Sequence, residues 1–95
     1  MSATALVRQQ AQRFFNPAHA DEVIATLDGT ELPLIANNGE RVFLAILLLS
    51  HGDMQQFRTV LQQARVDWRD TLVAAGLADE DWPAVLKENG IEIST

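Results

Sequence analysis

A chain of 95 residues has room for one hydrophobic core, and with 47% hydrophobic and 21% charged residues it has the make-up of a folded domain rather than of a disordered segment. It contains no cysteine, which excludes disulfides, thiolate-bound metal and a thiol nucleophile. Its formal net charge of −6 is lopsided: residues 67–95 carry Arg69 and Lys87 against seven acids, a balance that repels nucleic acid and favours a basic protein partner.

The first twelve residues lack the apolar stretch of a signal peptide, and the longest apolar run, Val42 to Leu49, falls well short of the roughly 20 residues that a membrane span requires. The expectation is a cytoplasmic protein that engages neither membrane nor nucleic acid. From the N-terminus, Leu6, Val7, Ala11, Phe14 and Phe15 recur at helical spacing and predict an amphipathic helix over about 4–15. Asn16 and Pro17 then supply an N-cap and a first-turn proline for a second helix that ends near Leu27, with Gly29 as its C-terminal cap. A small β-hairpin over 23–35, turning at Asp28-Gly29, is the alternative, weakened by Pro33 in the returning strand. In the helical reading, 30–39 is an extended connection whose Leu32, Leu34 and Ile35 pack over the core.

Residues 40–50 have no polar face between Val42 and Leu49, the pattern of a helix buried on every side. Gly52 marks its end, and Asp53 caps a fourth helix with an apolar stripe at Phe57, Val60, Leu61 and Ala64. Asp67 caps a short fifth helix carrying Leu72, Val73 and Ala75 and stopped by Gly76; one unbroken helix from Asp53 to Ala75 is the alternative. Asp79, Glu80 and Asp81 lead into a last helix that buries Trp82, Val85 and Leu86, and Asn89-Gly90 ends it before a tail that starts at Ile91. The whole is an all-α fold, a single domain over 1–95 with five or six short helices around a buried central one.

Two groups could carry chemistry through the only histidines. His19, Asp21 and Glu22 lie within four residues of one another, but residues two apart do not share a helix face, and a structural zinc site needs four ligands. Ser50, His51 and Asp53 have the residue types of a nucleophilic triad, yet triad members come from separate parts of a chain, while a helix end, a turn glycine and the next N-cap account for every one of these letters. Asp67 and Asp70 are likewise explained as a cap and its first-turn complement. The phosphate-loop, nucleophile-elbow and zinc-protease motifs are missing, and no cofactor is expected.

The segments Glu40-Arg41-Val42 through Ser50-His51-Gly52-Asp53 and Asp67-Trp68-Arg69-Asp70 through Ala75-Gly76-Leu77 resemble a pattern of short uncharacterised bacterial helical proteins. The resemblance implies a bacterial source and brings no activity with it. By elimination, the functional expectation is a non-enzymatic protein-binding or regulatory module acting through Trp68, Arg69, Asp79, Glu80, Asp81 and Trp82. Self-association into a homo-oligomer is a second expectation, raised by four phenylalanines and many leucines in so short a chain. A small metal protein or enzyme built on His51 and Asp53, or on His19 and Asp21, is the third.

Overall fold

The computed structural model describes residues 4–30 and 39–91, in which six α-helices follow one another: α1 (Ala5–Phe14), α2 (Pro17–Asp28), α3 (Gly39–Ser50), α4 (Met54–Val66), α5 (Trp68–Ala75) and α6 (Trp82–Glu88). Side-chain oxygens start four of them. Thr4 accepts from the Val7 amide, Asn16 from His19, Asp53 from Gln55 and Gln56, and Asp67 from Arg69, which satisfies donors that the first turn of a helix leaves open. Val23 to Leu27 lies within α2, so the hairpin over 23–35 does not form; Pro33 and the connection carrying Leu32, Leu34 and Ile35 lie outside the described residues. Gly29 follows α2 as expected but at φ −90°, so it ends the helix without using the left-handed conformation.

α3 is the hub. Val42, Phe43, Leu44, Ala45, Ile46 and Leu47 are all buried, and α1, α4 and α5 pack around them. The predicted stripe of α4 is buried to its last member, and Phe57 meets Phe15 edge to face with ring centres 6.0 Å apart. Among the described residues, ion pairs from Arg8 to Asp28 at 2.7 Å and from Arg58 to Glu22 at 3.2 Å run over the outside and tie α1 and α4 to α2. Both are exposed enough to contribute little.

The α3–α4 corner is the tightest point. His51 and Gly52 both sit at positive φ, 50° and 75°, and the Asp53 amide donates to the Ser50 carbonyl at 2.9 Å. A Cβ on Gly52 would lie 2.7 Å from the Phe14 carbonyl oxygen, so the last residue of α1 approaches this turn too closely for any side chain. The expected order of events was one residue late: the left-handed path begins at His51, not at the glycine.

α5 and α6 end alike. The Leu77 amide donates to Leu72 and that of Gly76 to Val73, while Ile91 donates to Leu86 and Gly90 to Lys87, each glycine being left-handed. These are two Schellman closures, and in both the residue after the glycine, Leu77 or Ile91, is fully buried. Ile91 therefore belongs to the core rather than to a tail. Asp67 breaks α4 from α5, so the single long helix is not formed, and the break leaves Val73 on the outside, where it is 66% exposed.

Gly52→Ala is expected to cost at least about 2 kcal/mol, since it combines a left-handed backbone with a backbone clash, whereas Gly29→Ala should be neutral or mildly stabilising. Chemical denaturation of the two variants makes the comparison. In the same assay Ile91→Ala should lose about 2–4 kcal/mol, as a core residue does and a tail residue does not.

Candidate functional site

The residues expected to form an interface are split between two places. Trp68 opens α5, half-buried, with the Arg69 guanidinium 5.3 Å from its ring centre. Trp82 opens α6, also half-buried, beneath the Arg41 guanidinium of α3 at the same distance, and Arg41 further donates to the Leu77 carbonyl at 3.5 Å. Each indole thus has a cation of its own chain over one face. No ring contact joins the two tryptophans among the described residues. Asp79, Glu80 and Asp81 are all exposed. Asp79 accepts the Trp82 amide only through its backbone carbonyl, and Asp81 occupies the N-cap position of α6 without a side-chain capping bond.

The histidine groups do not assemble. His19, Asp21 and Glu22 lie exposed in the first half of α2, and Glu22 is paired with Arg58. Ser50 is fully buried, with its hydroxyl donating to the Ile46 carbonyl one turn back, so it is not available as a nucleophile. The Asp53 carboxylate is taken up by two amides of α4. Among the described residues no three histidine, aspartate or glutamate side chains come close enough to hold a metal ion.

Two concave regions appear that the linear sequence did not announce. One is an open groove of about 540 Å³ along α4 and α5, lined by Gln62, Gln63, Val66, Asp67, Asp70 and Ala74. Val66 at its edge is 88% exposed, and among the described residues Val73 of the same helix pair is the other large apolar residue left in solvent. A signal for Val66 existed: it falls off the stripe of Phe57, Val60, Leu61 and Ala64. For Val73 the signal was weaker, because the helix that carries it is short and its buried side is fixed only by Thr71 and Leu72.

The other region is a cavity of about 560 Å³ where the C-terminal ends of four helices meet. Arg13 and Phe14 come from α1, Leu48 and Leu49 from α3, Ala74 and Ala75 from α5, and Asn89 from the end of α6, joined by His51 and Gly52 of the α3–α4 turn. Arg13 is fixed there by donating from Nη1 to the Gly90 carbonyl at 2.9 Å and to Gln10 Oε1 at 3.3 Å, and it lies over the Phe14 ring. The buried Gln10 is what steadies it on the side of α1. His51 therefore faces this cavity rather than joining Asp53 in a catalytic pair.

No helix among the described residues is long and apolar enough to cross a membrane. Compared with protein-family models, with curated proteins and with solved structures, the chain matches none of them.

If Asp53 is a cap and Asp21 a surface residue, Asp53→Ala should lower stability by about 1 kcal/mol and Asp21→Ala by less than about 0.5 kcal/mol, read from denaturation midpoints.

Proposed function

We propose that this protein is a non-enzymatic binding module whose α4–α5 face receives a basic amphipathic segment of a partner protein. The observation that carries the reading is the pairing of chemistry on this face: Val66 stands in solvent in the groove with the exposed Asp67 and Asp70, and Val73, one turn after Asp70 on α5 and outside the groove lining, is exposed as well. Solvated valines gain by being covered, about 1.5 kcal/mol or more for each side chain fully buried. Nearby carboxylates select a partner that brings Lys or Arg along with its apolar residues.

The rest of the C-terminal third supports the same sign of partner. Asp79, Glu80 and Asp81 add exposed negative charge without being tied into helix caps. Trp68 contributes a half-buried ring at the start of the same helix, the kind of rigid aromatic surface that anchors an interface. Its Arg69 neighbour, lying over that ring, sets a limit on how close a cation of the partner comes. Self-association draws on fewer residues than the composition suggested, because Phe15, Phe43 and Phe57 are all buried.

A basic amphipathic peptide of alternating Leu and Lys character, titrated against isotope-labelled protein, tests the proposal. The expected shifts centre on the methyl groups of Val66, Val73 and Ala74. Val73→Asp should weaken binding by roughly tenfold or more, Asp70→Lys by several-fold, and added salt should weaken it further. Shifts confined to other faces, or an affinity untouched by both substitutions, would refute the reading. A mass that rises with concentration in light scattering and falls back in Val73→Asp would assign the face to a second copy of the chain instead.

A further inference from the structure

We propose that the cavity at the meeting of the α1, α3, α5 and α6 C-termini binds a small zwitterion with an apolar side chain, an aliphatic α-amino acid. The argument begins with what each wall offers. Both Nη1 protons of this exposed Arg13 are used, on Gly90 and Gln10, and Nη2 lies close against Gly90, while Nη2 and Nε meet no acceptor among the described residues. The anchored guanidinium is therefore a held fork with donors to spare, the group that best matches a carboxylate.

The backbone around it offers the opposite chemistry. A helix C-terminus presents carbonyl oxygens and the negative end of the helix dipole, and four such ends converge here. α5 and α6 close part of theirs through the bonds to Leu77, Gly76, Ile91 and Gly90. At the end of α3, no described amide donates to the carbonyls of Leu48 and Leu49, and at the end of α5 none donates to those of Ala74 and Ala75. An anion alone meets these carbonyl ends, and a cation alone meets Arg13. A molecule with an ammonium beside its carboxylate answers both.

The remaining surface is apolar. Phe14, Leu48, Leu49 and Ala75 are only partly buried, although each packs against the core, so the cavity is where the apolar run of α3 reaches solvent. The depression has a volume of about 560 Å³ and opens to solvent on one side, room for a molecule of amino-acid size. In the α3–α4 turn that joins its lining, His51 is the one residue other than glycine held at positive φ among the described residues.

Three probes that share the isobutyl side chain separate the charges: leucine, 4-methylpentanoate without the ammonium, and 3-methylbutylamine without the carboxylate. Each is titrated to roughly 20 mM while the methyl signals of Leu48 and Leu49 are followed. Leucine is expected to give saturable shifts, with both analogues weaker by about tenfold or more. Arg13→Gln should reduce leucine binding by a similar factor. Because that change also cuts the bond to Gly90, Ala75→Leu serves as a second variant that fills the cavity without removing a hydrogen bond, and circular dichroism shows which variants stay folded. No saturable shift with leucine, equal binding of either analogue, or unchanged leucine affinity in a folded variant would overturn the proposal.

Discussion

A helix with no polar face must be covered from every side, and most of this structure is the covering of α3. Six consecutive residues from Val42 to Leu47 leave nothing for water, so α1, α4 and α5 are all drawn against one short cylinder. The demand extends to the ends of the helix. Ser50 is buried and has to spend its hydroxyl on the chain's own backbone, and the turn after it is pressed so closely by Phe14 that position 52 admits only hydrogen. Where the covering runs out, at Leu48 and Leu49, the molecule has its four-helix cavity. The hub and the site are thus two ends of the same apolar run.

Much of this was legible from the residues in order. Caps are local signals: Asn16 before Pro17, Asp53 after Gly52, and Asp67 before Trp68 each announce a start within a few positions, and each start is where it was expected. The stripe of α4 is equally local, since Phe57, Val60, Leu61 and Ala64 recur within about two turns. What failed depended on lengths too short to show a period. α5 has eight residues, too few to fix which side of Val73 faces inward, and the placing of Ile91 required recognising that a buried aliphatic residue follows a Schellman glycine. The hairpin reading failed because Val, Ile and Thr suit both structures, and the Asn16-Pro17 start with Ala20, Val23, Ile24 and Leu27 on one face favours the helix.

The sites were less legible, for a reason of distance. Arg13 and Gly90 are 77 positions apart, and neither carries any mark that it will meet the other. Sequence proximity misled in the opposite sense: Ser50, His51 and Asp53 are adjacent, yet one faces the interior, one the cavity and one the first turn of the next helix. The last helix is expected to bury Trp82, Val85 and Leu86, but only Leu86 is buried; Trp82, like Trp68, is half-buried, and the arginine covers come from a neighbour for Trp68 and from α3 for Trp82. Charge is accordingly arranged by place rather than by composition. One face joins carboxylates to valines, and the helix-end cavity joins carbonyls to a single guanidinium.

The matched endings of α5 and α6 bear on how such a chain can change over time. In each, a left-handed glycine hands the chain directly to a side chain that is already inside the core, Leu77 in one and Ile91 in the other. A residue added to or removed from either helix would swing that entry point around the axis by about 100° and advance it by about 1.5 Å, which turns the aliphatic group away from its socket. Substitutions on the outer faces of these two helices leave the closure intact, but their lengths are fixed almost to the residue. Drift in this protein is thereby steered toward the surface lettering of α5 and α6 and away from their lengths.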